Sequence, residues 1–272
     1  MVIHKEEYKL NNDLFDNLIF ITVKIGNEDI LAMFDTGASI SIISQSLANR
    51  FNCRTESSLS AGNNNGKSLT LESGFIDRIE ICDLAIENLK VGIVPDNYLD
   101  FGVDDAGRAF PAQMLLGWDI ISQFYWRIDT KNKLYCVLKC GNKISNNLSY
   151  YNFPTIKVKY KTDFMLFGFD TGHTETLLDK TWCSKLDNLK TIEDELCGIG
   201  GSSVEQSFVT DNFEVTFENE IFCLKNVTVL QHSIYGLENN SVVALLGIDF
   251  FKDSIFEIDY KSKYFHIEKI KQ

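Results

Sequence analysis

Apolar residues along most of this chain come in runs of roughly 4–8 that end at turn residues, a pattern of strands more than of helices. The first clear run is Leu18-Ile-Phe-Ile-Thr-Val-Lys-Ile25, closed by the turn-like Gly26-Asn-Glu-Asp29. Ile30–Phe34 follows and ends in Asp35-Thr36-Gly37. After Ile42-Ile43, Ser44 has the side chain of a helix N-cap, which predicts a short helix over Gln45–Arg50. Strands are predicted at Phe75–Ile81 and Leu89–Val94, with a turn at Asn63-Asn-Asn-Gly66 before them and a loop at Asp104–Gly107 after them. Ala112-Gln-Met-Leu-Leu-Gly117 is apolar and closed by glycine, and Asp119 is placed to cap a helix running to Phe124. Trp126–Val137 reads as a hairpin turning at Thr130–Lys133, and Gly141–Asn147 is polar and turn-rich. Residues 1–16 alternate too weakly to assign.

From Asn152 the pattern begins again. Thr155–Tyr160 is a strand, Lys161–Asp163 a turn, and Phe164–Phe169 leads into Asp170-Thr171-Gly172, 135 residues after the first Asp-Thr-Gly. The same offset carries Ser44 to Asp179, another capping residue, and Gly198-Ile-Gly-Gly201 falls near the place of the Gly62–Gly66 turn. Val243-Ala-Leu-Leu-Gly247 repeats Met114-Leu-Leu-Gly117, and from there an offset of 130 holds without a gap, so that Trp126-Arg-Ile-Asp129 faces Phe256-Glu-Ile-Asp259. Matching punctuation at both ends of two long segments marks an internal duplication, and two copies are too few for a solenoid. The expected fold is all-β and two-lobed with pseudo-twofold symmetry and few short helices. An N-terminal lobe is expected over 1–142, a linker over 143–152 and a C-terminal lobe over 153–272.

Composition narrows the partners. The chain has 272 residues, 44% of them apolar, with 20 Phe and 10 Tyr against 3 Pro, which suits a globular strand-rich protein. A net charge of −12 argues against nucleic acid or an anionic membrane as partner. No apolar segment has the length of a membrane-spanning helix, and the first residues lack the apolar core of a signal peptide. The 7 cysteines are scattered without a Cys-x-x-Cys pair, so reduced thiols in a cytoplasmic protein are expected, with no metal and no cofactor.

A single Asp-Thr-Gly is most often a plain turn. Here an apolar strand delivers it twice, once per lobe, and each copy is followed by an apolar-Leu-Leu-Gly stretch. Pseudo-twofold symmetry brings equivalent atoms together at its axis. Asp35 and Asp170 would meet there, and two adjacent carboxyls cannot both ionise easily, so they share a proton. Such a pair can activate a water with its ionised member and polarise a carbonyl with its protonated one. The Thr36 and Thr171 hydroxyls suit bonds across the lobe boundary, although each hydroxyl could equally satisfy its own turn. Gly37 and Gly172 permit the sharp turn.

Asp35-Thr36-Gly37-Ala38-Ser39 and Asp170-Thr171-Gly172, with Leu115-Leu116-Gly117 and Leu245-Leu246-Gly247, resemble the active-site elements of aspartic proteases. Short lobes and Ala38 after the first Gly look more like the retropepsin branch, here with both halves in one chain. The resemblance implies two β lobes around a cleft, Asp35 and Asp170 as catalytic residues, and Thr36, Gly37, Thr171 and Gly172 as their support. It also implies flaps near Ser60–Lys67 and Cys197–Ser203, with Gly62, Gly66, Gly198, Gly200 and Gly201 as the flexible points. The termini and residues 143–152 would join the lobes in a shared sheet. The expected activity is that of an aspartic endopeptidase acting as a monomer on a peptide or protein. The alternative is a catalytically silent peptide-binding or scaffolding protein on the same fold. His173 departs from the family's small or hydroxyl residue and is expected to turn to solvent. With Ala38 and His173 supplying no hydroxyl, activity toward neutral pH is expected.

Overall fold

In each lobe the chain first makes a tight hairpin that aims a strand at the lobe boundary. A computed structural model describes residues 6–62, 68–237 and 241–270. Phe20–Ile25 pairs antiparallel with Glu28–Phe34, and Gly26, at φ +60°, opens the two-residue turn between Ile25 and Glu28. Pro154–Tyr160 pairs with Asp163–Phe169 in the same manner, with Lys161 at φ +53° in the turn. The second member of each hairpin runs straight into its Asp-Thr-Gly.

These hairpins begin two sheets of matching topology. In the first lobe the strand order is 20–25, 28–34, 114–116, 42–44, 84–94, 68–81, 54–62. In the second it is 154–160, 163–169, 242–246, 177–178, 220–229, 201–217, 190–198, with 148–150 added at the edge. Each sheet curls back on itself, through Lys24↔Glu80 and Ile25↔Ile79 in one lobe and Lys159↔Thr216 in the other. Both lobes are thus closed β-barrels related by the duplication, and the fold is the two-lobed all-β one expected from sequence. The Leu-Leu-Gly strands are central in both sheets, flanked on one side by a parallel neighbour, which explains their unbroken apolar sequence.

A third sheet joins the lobes. Its order is 8–9, 134–138, 125–129, 254–259, 264–269, with Ile128↔Phe256 and Trp126↔Ile258 pairing first-lobe to second-lobe residues. The Thr130 hydroxyl is buried between the lobes and lies 2.9 Å from the Phe251 carbonyl. One hydrophobic cluster runs through both lobes, including Phe34, which meets Trp126 edge-on, and Phe169, which meets Phe251 the same way.

Residues 143–152 do not enter this sheet, contrary to expectation. Leu148–Tyr150 pairs with Pro154–Tyr160 at the edge of the second barrel. The segment touches the joining sheet through side chains: Lys143 pairs with Glu257 at 2.9 Å, and the Asn147 amide donates to the Phe265 carbonyl at 2.8 Å and accepts from the Phe265 N–H at 3.0 Å. Asp119 is likewise not a helix cap. The helix there is a single turn, Trp118–Ile121, entered through Gly117, and Asp119 lies inside its first turn. Ser44 does cap Gln45–Arg50, accepting from Leu47 N–H at 3.2 Å, while Asp179 caps a 3-10 turn over Lys180–Ser184. Among the described residues no helix is long and apolar enough to cross a membrane.

Candidate active site

The two Asp-Thr-Gly turns meet where the lobes meet. Asp35 and Asp170 are 7% and 4% exposed, and their carboxyls hydrogen-bond one another. Beneath them the threonines interlock. The Thr36 hydroxyl donates to the Phe169 carbonyl at 3.2 Å and accepts the Thr171 N–H at 2.9 Å. Reciprocally, the Thr171 hydroxyl donates to the Phe34 carbonyl at 2.7 Å and accepts the Thr36 N–H at 3.1 Å. Every one of these bonds crosses the lobe boundary, so the hydroxyls satisfy the opposite turn and not their own.

Gly37 and Gly172 are required by space. A Cβ built on Gly37 would lie 2.2 Å from Asp170 Oδ2, and one on Gly172 would lie 2.6 Å from the Asp35 carboxyl carbon. Each glycine thereby lets the opposite lobe's carboxyl approach. Their N–H groups also orient the acids: Gly37 and Ala38 N–H donate to Asp35 Oδ1 at 2.9 and 3.0 Å, and Gly172 N–H donates to Asp170 Oδ1 at 2.8 Å.

Symmetry breaks one residue later. The His173 N–H, equivalent to that of Ala38, turns to the Asp170 backbone carbonyl at 3.2 Å. The His173 ring is partly exposed on the cleft wall, with Nδ1 2.7 Å from the Glu175 carbonyl oxygen. Burial raises the pKa of Asp35 well above the usual carboxylate range, and the neighbouring Asp170 charge raises it further. Burial also raises Asp170, but bonds from the Gly172 N–H and the Asp35 side chain oppose the rise. Both carboxyls are thus biased toward the protonated form, Asp35 with the added push of its neighbour's charge and Asp170 against the opposing pull of its hydrogen bonds.

A second layer holds the turns, and sequence reading missed it. Ser41 N–H and Oγ both donate to Asp119 Oδ1, at 2.9 and 2.8 Å, and Ser41 Oγ accepts the Gly117 N–H at 3.0 Å. The second lobe repeats this, with Thr176 donating to Asp249 Oδ1 at 2.8 Å and accepting the Gly247 N–H at 3.2 Å. Both hydroxyl residues are fully buried. The signal was available: Ser41 and Thr176 share the 135 offset, and Asp119 and Asp249 share the 130 offset.

A cleft of about 420 Å³ opens above the carboxyls between the lobes. The hairpin of Lys190–Gly198 and Gly201–Phe217 arches over it. Gly198 is buried and lines the cleft with Ile199, while Gly200 and Gly201 take φ +85° and +127° at the tip. The Gly200 N–H reaches the first lobe, 3.4 Å from the Tyr98 carbonyl. The opposing hairpin is formed by Arg54–Gly62 and Ser68–Ile81, with Gly62 pairing Ser68 at its end. Gly66, within 63–67, lies outside the described residues.

The sequence model of a family described as gag-polyprotein putative aspartyl protease matches residues 21–123. That span holds the first Asp-Thr-Gly and the Leu115-Leu116-Gly117 strand. It is retropepsin-like, and the chain carries it as one of two fused lobes of the same architecture. No curated protein matches the chain.

Proposed function

From a retropepsin-like lobe and its second copy, we infer that the chain is an aspartic endopeptidase with Asp35 and Asp170 as its catalytic pair. The observation that carries this reading is the buried, hydrogen-bonded meeting of two carboxyls from separate lobes at the floor of one cleft. A peptide lies extended in the cleft beneath the hairpins, bound through its backbone with alternate side chains in pockets. Asp170 takes a proton from a water as that water's oxygen attacks the scissile carbonyl carbon, and Asp35 gives its proton to the carbonyl oxygen. Asp170 then protonates the leaving nitrogen as the C–N bond breaks, and Asp35 takes back a proton from the tetrahedral diol. The products are a carboxylic acid and an amine, and the pair returns to its starting protonation.

Thr36, Gly37, Thr171 and Gly172 hold the two acids in register, and Gly62, Gly198, Gly200 and Gly201 serve the hairpins that close on the substrate. Since the interlocked threonines belong to one chain, the monomer is the proposed active species. Six cysteines among the described residues form no disulfide, which suits a reducing cytoplasm. A silent peptide-binding protein on this fold is the weaker reading, because two buried carboxyls held against each other are costly and serve binding poorly. The test is cleavage of a peptide library by the wild type and by Asp35→Asn, with and without a transition-state inhibitor of aspartic proteases. Asp35→Asn should abolish cleavage while keeping the fold, and unchanged cleavage would refute the assignment.

A further inference from the structure

The two turns present loops to the cleft that match in backbone and differ in charge. The Ala38 carbonyl accepts the Trp118 N–H at 2.7 Å, and the His173 carbonyl accepts the Ile248 N–H at 2.8 Å. Gly117 lies against Ile40, a built Cβ falling 2.6 Å from its carbonyl carbon, as Gly247 lies against Glu175, with 2.3 Å to its carbonyl oxygen. Ile40 and Glu175 are therefore pseudo-twofold mates, both lining the cleft, one on each side of the catalytic pair. Ile40 is partly buried against the core. Glu175 opens to the cleft, and Asp194, from the overarching hairpin, lines the cleft beside it.

We propose that Glu175, assisted by Asp194, makes one side of the cleft select a lysine or arginine side chain of the substrate, while the Ile40 side selects an apolar one. This rests on the endopeptidase reading for its peptide, and it adds which peptides. No Lys or Arg lines the cleft among the described residues, and neither Glu175 nor Asp194 has an ion-pair partner there. Desolvation, then the charges of Asp194 and Asp249, raises the Glu175 pKa, so a cation arriving from the substrate relieves that repulsion. The Glu195 carboxyl nearby accepts from the Ser202 hydroxyl and is already engaged. The site is the cleft itself, defined by the buried pair at its floor; the acids decide the charge of what enters it.

The experiment uses paired peptides that differ only in lysine against norleucine at each position flanking the cleavage point. For the wild type, kcat/KM should favour lysine by about tenfold at one position on one side of the scissile bond, with apolar residues favoured at the mate position. Glu175→Gln, which keeps the shape, and Glu175→Ile, which copies the first lobe, should both bring the lysine-to-norleucine ratio close to one. Because a ratio is read, a general loss of activity in either variant leaves the result interpretable. The same peptides are also titrated onto Asp35→Asn by fluorescence anisotropy, so a chain that cleaves nothing still reports. Tighter lysine binding that disappears with Glu175→Gln supports the proposal even if the protease reading fails. Cleavage or binding that ignores lysine, or a lysine preference that survives both Glu175 variants, overturns it and leaves the protease reading standing.

Discussion

Replacing Thr36 with valine removes one hydroxyl and almost no volume, at a position 1% exposed. Two buried groups lose their partner: the Thr171 N–H, 2.9 Å away, and the Phe169 carbonyl, 3.2 Å away. A buried donor left unsatisfied costs about 1–3 kcal/mol, and the carbonyl adds less, so the loss should be roughly 2–4 kcal/mol. Against a typical domain stability of ~5–15 kcal/mol that is a large fraction. Thr171→Val strands a different pair, the Thr36 N–H and the Phe34 carbonyl, so the two losses should nearly add. The hydroxyls approach each other only at 3.4 Å, which leaves a coupling of about 0.5 kcal/mol in the double variant. Thr36→Ser keeps every bond and should recover most of the loss. Urea unfolding supplies the stabilities and single-turnover cleavage the activities, which should fall by at least about tenfold in Thr36→Val as the two acids lose register. Wild-type stability in Thr36→Val, or no recovery in Thr36→Ser, would refute the claim that these hydroxyls lock the lobes.

Further expectations concern the turns and the titration of the pair. In Gly37→Ala the new methyl collides with the Asp170 side chain at 2.2 Å, so cleavage should drop by roughly 100-fold while circular dichroism stays native. In Gly247→Ala the collision is with Glu175 backbone at 2.3 Å, which cannot swing aside, so the thermal midpoint should fall first and activity with it. Ser41→Ala removes a hydroxyl that joins Asp119 to the Gly117 N–H, and calorimetry should show a loss of about 1–2 kcal/mol. For pH, the proposed mechanism needs Asp170 ionised and Asp35 protonated. It should fall as pH drops through the lower apparent pKa of the pair and fall again as pH rises through the upper one. Burial raises both groups above 3.8, so the acid limb should lie above that value, and a profile peaking below pH 4, roughly the ordinary Asp pKa, would contradict the assignment.

Much of this was readable because the duplication writes the fold twice. Strands such as Glu28–Phe34 and Asp163–Phe169 announce themselves by apolar runs, and matched Asp-Thr-Gly turns locate the symmetry axis. What sequence reading missed depends on contacts distant in the chain. The bond from Ser41 to Asp119 spans 78 residues, and read locally Asp119 resembles an ordinary cap. The strand Ser68–Ile81 begins well before the expected Phe75, because Ser68–Leu71 pair with Arg54–Gly62 and from Glu72 a second neighbour, Leu84–Val94, joins. Of the segment 143–152 only Leu148–Tyr150 forms a strand, which pairs with the start of the second lobe's hairpin, while Lys143 and Asn147 reach the joining sheet through side chains.

A polypeptide has a direction, from amino to carboxyl end, and a receptor with true twofold symmetry cannot perceive it: a chain threaded either way meets the same walls. Such a receptor is also encoded once, so a change on one wall is copied to the other. Here the walls carry separate codons, and Ala38 already differs from His173 and Ile40 from Glu175 at matching places in the backbone. Fusing the lobes has given each wall its own inheritance, and with it the means to tell head from tail.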